Sequence, residues 1–258
     1  MKSDIKKSLA ESLETDIDLL PYMPYLLQDM WELGCSAELI LEGVNSLALP
    51  SHSKVLDLGC GKGALSIQIA AQFGFEAVGI DAMEEFLRVA KEKSAKYKVD
   101  NLCQFVNQDM RDYVKVPHDF DVVILAAVGG VFGSWQETIA NLRTQVKNGG
   151  FIFIDDGYLK DRISFNRRGY SHYCDHESSI TALTIFGDIL IEEIDTTALS
   201  IDLSNQYMKG IAKRGQELIE QNPQLVEKIN WYIRNQLEEC DIIENEITGA
   251  LWVLKKSH

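Results

Sequence analysis

The sequence predicts an α/β domain, doubly wound around a mostly parallel sheet. Three observations carry this expectation. From Lys54 onward, short apolar runs alternate with amphipathic stretches in strand–helix order. Those runs are apolar continuously rather than at every second residue, as in strands covered on both faces. The first run passes into a glycine-rich turn, Asp57-Leu58-Gly59-Cys60-Gly61-Lys62-Gly63, where a strand hands over to a helix.

Residues 1 to about 50 read as helical, with breaks at Pro21 and Pro24. Leu9, Leu13, Ile17 and Leu20 recur at helical spacing, as do Leu39, Ile40 and Val44. Val55–Leu58 is the first strand, followed by a helix marked by Leu65, Ile69, Ala70 and Phe73. Ala77–Ile80 is the second strand, and Phe86, Leu87, Ala90 and Ser94 mark the next helix. Phe105-Val106 gives a third strand and Val122–Leu125 a fourth. Ser134 with Glu137 forms a capping box for a helix running to Val146 and closed by Asn148-Gly149-Gly150. Phe151–Ile154 is a fifth strand. Beyond a polar stretch at 157–177, Ile180–Phe186 reads as a helix and Ile189–Ile194 as a strand. A helical pair follows over 202–240. Asn222-Pro223 forms its junction, and Leu225, Ile229, Ile233 and Leu237 give the second helix an apolar face. Thr248–Leu254 is the last strand.

The 258 residues are 46% hydrophobic and 25% charged, ordinary for a globular chain. With 25 Lys plus Arg against 39 Asp plus Glu, the formal net charge is -14. Such a field repels a phosphate backbone, so nucleic acid is disfavoured as a partner. Cysteines stand at 35, 60, 103, 174 and 240, an odd count without C-x-x-C spacing. Neither a disulfide framework nor a metal site is expected, and a reducing, cytoplasmic setting fits. No signal-peptide pattern opens the chain, and no run reaches the roughly 18 apolar residues of a membrane span.

Glycines in the 57–63 turn let a ligand approach the backbone without a Cβ clash. Their spacing is G-x-G-x-G, neither the G-x-G-x-x-G of dinucleotide binders nor a phosphate-binding P-loop. Asp57 at the strand end costs burial energy unless it meets partners such as a ligand's ammonium. Asp81 follows Gly61 by twenty residues, where a ribose-binding acid belongs. It also fits as a helix N-cap with Glu84 three residues on; ribose binding is the favoured of the two.

Here the sequence resembles the class I S-adenosylmethionine-dependent methyltransferases. Val55–Gly63 resembles their signature, and Gly79-Ile80-Asp81-Ala82-Met83 their second motif. Gln108-Asp109-Met110, Phe120-Asp121-Val122-Val123-Ile124 and Val146–Phe151 follow in the family's order. The resemblance implies a Rossmann-like, seven-stranded, mostly parallel sheet and S-adenosylmethionine as cofactor, with S-adenosylhomocysteine as product. It places Gly59, Cys60, Gly61 and Gly63 against the methionine part, with Asp57 near the ammonium. Asp81 would hold the ribose, with Ala82 beside it and Met83 over the adenine. Asp109 would accept from the adenine amino group, flanked by Met110. Ala126-Ala127-Val128 would floor the sulfonium. Residues 51–200 with 246–258 would then bind the cofactor, residues 1–50 would cover the acceptor site, and 201–245 would form a helical cap insertion.

No nucleic-acid-type Asn/Asp-Pro-Pro-aromatic run follows the fourth strand, which continues as Ala126-Ala127-Val128-Gly129-Gly130. The layout resembles small-molecule enzymes of the ubiquinone/menaquinone type, and a small-molecule acceptor is expected. Tyr22, Tyr25, Trp135, Tyr158, Tyr170, Tyr207 and Trp231 are candidate pocket aromatics, though such residues at helical spacing are more often core. Asp156, His172 and His176 are the candidate catalytic groups, needed only if the acceptor atom starts protonated. A nicotinamide oxidoreductase lacks its glycine spacing here. A cofactor-binding sensor or scaffold without turnover stays open, as does a protein acceptor.

Overall fold

Apolar strands buried on both faces have one way to satisfy their backbone, which is to lie side by side beneath two layers of helices. The computed structural model describes residues 3–161, 167 and 169–257 and shows that arrangement. In chain order come α1 (Ser3–Ser12), α2 (Met23–Leu26), α3 (Ala37–Ser46), β1 (Lys54–Leu58), α4 (Ala64–Phe73), β2 (Glu76–Asp81), α5 (Glu84–Tyr97), β3 (Cys103–Asn107) and α6 (Met110–Tyr113). They are followed by β4 (Phe120–Ala126), α7 (Trp135–Arg143), β5 (Val146–Leu159), α8 (His176–Leu183), β6 (Ile189–Asp195), α9 (Thr197–Gln221), α10 (Val226–Asn245) and β7 (Ile247–Lys255).

The seven strands form one sheet ordered β3-β2-β1-β4-β5-β7-β6. β1 to β5 run parallel, and β7 is antiparallel to both of its neighbours. Alternate residues serve opposite faces. Leu56, Leu58, Val123, Leu125, Ile152 and Ile154 pack under Trp135, Ile139 and Leu142 of α7. Val55, Val122, Ile124 and Phe153 pack under Ile40 and Val44 of α3 and Leu65 and Ile69 of α4. Gly43 lets α3 settle, since a Cβ there would stand 2.7 Å from the Phe153 ring. A separate core joins the N-terminal residues Leu19, Met23, Leu26 and Met30 to Ile211 and Leu218 of α9 and to Ile229 and Tyr232 of α10. Met83 and Phe86 seat this cap on the main domain. Among the described residues no helix is long and apolar enough to cross a membrane.

Several element boundaries differ from those expected. α7 stops at Arg143, because Thr144 Oγ1 donates to the Asn141 carbonyl and the buried Gln145 amide donates to Val114 and Val116. Val146 is thus already in β5, paired with Phe120. α8 begins four residues early, at His176, because the Asp175 side chain caps the amide of Ser178. The Asn222 side chain turns back to the Leu218 carbonyl rather than capping forward. Leu237 lies exposed and Ile17 is half exposed. Steps of four residues gain about 40° of rotation each, so the 225-229-233-237 series drifts off the buried face. The buried series is Leu225, Ile229 and Tyr232.

Phe153 is fully buried at the sheet centre. Phe153→Ala is expected to cost about 3–5 kcal/mol, read as a lower urea midpoint with an unchanged slope.

Candidate functional site

In an open parallel sheet, ligands bind beyond the strand carboxyl ends where strand order reverses. Here that reversal falls between β1 and β4, and a cavity of about 520 Å³ lies above it. Asp57, Gly59, Cys60, Gly61, Asp81, Ala82, Met83, Asp109, Met110 and Ala126 all line it.

The glycine turn is held from several sides. Gly59 and Gly61 take left-handed conformations, with φ of 78° and 51°. A Cβ on Gly61 would meet Leu33 at 2.6 Å, and one on Gly59 would meet Val128 at 2.9 Å. Gly63 does not line the cavity: its bare Cα faces Ala90 and Phe105, each 2.9 Å from where a Cβ would stand. Its requirement is for close packing of α4 against α5 and β3. The Cys60 thiol likewise turns away, toward Gly79 of β2, leaving its backbone side to the cavity.

Asp81 braces the turn by accepting from the Gly61 amide at 2.8 Å and the Met83 amide at 2.7 Å. Its burial raises the carboxyl above the ordinary range, and these amides pull it back. Asp81 is therefore not the α5 N-cap, which is Met83. Asp57 is buried and accepts from Ser66 Oγ at 2.7 Å. Burial pushes its carboxyl up to about 6, the Ser66 hydroxyl and amide pull it back, and the charge of Asp81 adds to the rise. Asp109 caps α6 through the Arg111 amide and pairs with the Arg111 guanidinium, which holds its carboxyl below the usual range. A carboxylate offers about four acceptor positions, so this pairing leaves room for one more donor. Ala127, at the floor, is non-glycine in the left-handed region with φ 53°. The set fits an adenosyl ligand carrying an ammonium: acids at three strand ends and a turn without side-chain bulk share one hollow.

A smaller cavity of about 280 Å³ adjoins the first. Leu33, Ala127, Gly129, Tyr170, Tyr207 and Glu239 line both. Asp156 and His172 face the smaller one, with His172 Nε2 3.3 Å from Asp156 Oδ2. His172 Nδ1 is buried without a partner. Its neighbour Asp155 accepts instead from the Ser36 amide at 2.6 Å, because successive strand residues point to opposite faces. His176 is not part of either cavity: it pairs with Glu193 at 2.8 Å and its ring lies tilted against Tyr158. Among the expected aromatics, Tyr170 and Tyr207 line the site. Tyr22, Tyr25, Trp135 and Tyr158 serve packing, and Trp231 is exposed. Residues 162–166 and 168 of the expected 157–177 cover lie outside the described residues.

Two residues escaped the sequence reading. Glu239 continues the buried stripe of α10 through Gln236, where steps of three and four keep one face; a charged residue on that stripe was the available signal. Lys62, inside the glycine turn, is buried and donates to the carbonyls of Leu27 at 2.5 Å and Met30 at 2.7 Å. Trp31 Nε1 returns the contact by donating to the Lys62 carbonyl at 3.1 Å. Burial lowers the Lys62 ammonium to about 8, and the charge of Lys93 adds to this. Lys62→Met would strand two buried carbonyls. It is expected to cost about 1–3 kcal/mol in urea unfolding and to speed proteolysis ahead of residue 37.

Residues 49–222 match a family described as a methyltransferase domain. The protein YqeM of Bacillus subtilis (strain 168) is 33% identical over 108 residues, 42% of this chain and 37% of that protein. The ubiquinone biosynthesis O-methyltransferase of Rickettsia akari (strain Hartford) is 31% identical over 106 residues, 40% of each. The match thus spans less than half the length of these curated relatives. A SAM-dependent methyltransferase from Geobacter sulfurreducens, crystallised with S-adenosyl-L-homocysteine, shares the fold with a TM-score of 0.76 at 18% identity, covering 91% of this chain and 97% of that one. The matched family spans more than half the chain and contains every element that builds the larger cavity's sheet-side wall; the chain belongs to the methyltransferase domain family.

Proposed function

We propose that this protein binds S-adenosylmethionine in the larger cavity and transfers its methyl group to a small-molecule acceptor held in the smaller one. The observation that carries this reading is the convergence of Asp57, Gly59, Gly61, Asp81 and Asp109 on one hollow that opens into a second. In this reading Asp57 would take the ammonium, Asp81 the ribose hydroxyls, and Asp109 with Met110 the adenine. When bound, the cofactor supplies a methyl carbon on a positive sulfur: the acceptor's electron pair makes the new bond and the carbon–sulfur pair leaves with sulfur. The chain's own part is to align and to keep out water. Ala127 and Gly129, shared by both cavities, form the wall across which transfer would occur. Asp156 orients His172, which is the candidate base for an acceptor that starts protonated.

The small-molecule reading is supported by the size of the smaller cavity, about 280 Å³, and by the net charge of -14, which disfavours nucleic acid. The proposed division is a cofactor-binding domain of residues 51–200 and 246–258 beneath a cover from residues 1–50 and 201–245.

Calorimetry with S-adenosylhomocysteine tests the cofactor. Asp81→Asn is expected to weaken binding at least about tenfold, about 1.4 kcal/mol. Unchanged affinity would remove Asp81 from the site.

The pH dependence follows from Asp57. With the free-protein carboxyl near 6, a cationic partner favours the ionised form, so below that pH a proton must leave before binding. Affinity for S-adenosylhomocysteine should therefore fall as pH drops from 7 to 5, by at most about tenfold per unit below the carboxyl's own value. Asp57→Asn should flatten the profile, and a flat wild-type profile would count against this placement.

A further inference from the structure

The smaller cavity has an unusual charge. Asp155, Asp156 and Glu239 line it, and no Lys or Arg does among the described residues. Each carboxylate has polar partners, and among the described residues none of those hydrogen-bonded to them is a Lys or Arg. Asp155 accepts from Ser36, and Asp156 lies against His172 Nε2. Glu239 accepts from Tyr170 Oη at 2.7 Å and from the Gln236 amide at 3.1 Å. The nearby guanidinium of Arg167 is already engaged, by Glu14 and by the Asn235 carbonyl. Three carboxylates in one cavity, with no Lys or Arg in its wall among the described residues, are costly, and such groups are kept where they do something. A second, independent observation is His172. The residue is 4% exposed, lines this cavity, and its Nδ1 has no partner. That nitrogen lies 2.6 Å from where a Cβ on Gly130 would stand, at the border with the larger cavity. The rest of the wall pairs an apolar side, Leu203, Met208, Ile211, Ile243 and Ile247, with the neutral polar groups of Ser200, Ser204, Tyr173 and Tyr207.

Resting on the reading above, we propose that the smaller cavity takes its acceptor as a cation: a small primary or secondary amine with an apolar body, its ammonium docked on Glu239. An ammonium nitrogen has no free electron pair. One N–H bond must therefore break, with the pair staying on nitrogen and the proton passing to the Glu239 carboxylate, which for this cationic acceptor takes the base's part in place of His172. Burial and the charge of Glu14 raise Glu239 to about 7, against the pull of Tyr170, Arg167 and Gln236, which suits that exchange near neutral pH. Tyr170 and Gln236 hold the carboxylate by one hydrogen bond each, and the apolar side of the wall takes the body of the amine. An alcohol of the same shape gains no charge pairing there, and a carboxylic acid is repelled.

The test uses the full chain saturated with S-adenosylhomocysteine. The probes are small aryl and alkyl amines, phenethylamine and N-methylbenzylamine among them, each matched with the alcohol and carboxylic acid of the same skeleton. Saturation-transfer NMR finds binders and calorimetry ranks them. Amines are expected to bind at least about tenfold tighter than their alcohols. Glu239→Gln, saturated with S-adenosylhomocysteine in the same way, is expected to erase that difference. Alcohols or acids binding as well as amines, no probe binding, or a variant that keeps the amine preference would each overturn the proposal. The wild-type ranking decides alone should the variant not fold. Failure of S-adenosylhomocysteine itself to bind, measured beforehand without probes, would instead sink the cofactor reading.

Discussion

A buried ammonium inside the glycine turn is the contact on which the architecture of the site depends. A turn without side chains is needed for a ligand to come close, yet it has little of its own to hold it in place. Lys62 solves this by anchoring to the carbonyls of Leu27 and Met30, which lie in a different part of the chain. The same two bonds carry the N-terminal helices to the mouth of the crevice. Leu33 then stands against Gly61, and Gly34 donates to Tyr207 of α9 at 2.7 Å. Turn, cover and helical cap are thus one mechanical unit, built around a charge that burial makes expensive to leave unsatisfied.

The cap has its own core, and polar contacts tie its segments together both beside the hollow and away from it. Glu14 and Arg167, 153 positions apart, pair beside Asn235 and close to Tyr170 and Glu239. Tyr25 reaches Glu217 of α9 at 2.6 Å. Such pairings cost chain entropy to assemble, and together they hold three distant segments against each other.

The main domain was legible because its signals are local. A strand, its terminal acid and the glycines that follow occupy consecutive positions, and Asp57, Asp81 and Asp109 each mark the carboxyl end of a run. A parallel sheet converts that local regularity into convergence without further information. The cover was legible only as helices. Which of its residues face the hollow depends on helix phase, and a small error in phase exchanged Leu237 for the buried stripe that ends in Gln236 and Glu239. His176 misled for a related reason: its place on α8 is fixed by the cap at Asp175, which turns it toward Glu193 on the far sheet edge. Lys62 was hidden because its partners are backbone carbonyls, which carry no sequence signature.

Strand β5 carries Asp155 and Asp156 side by side, one tied to Ser36 at the head of α3 and the other to His172 in the opposite layer. The ladder with β7 sets Asp155 against Leu251 and Asp156 against Ala250. Slipping that ladder by a single position would exchange the two acids, so each tether would be offered the wrong layer. The antiparallel edge pairing therefore works as a vernier: hydrogen bonds made far from any ligand determine which wall of the enclosure each carboxylate grips.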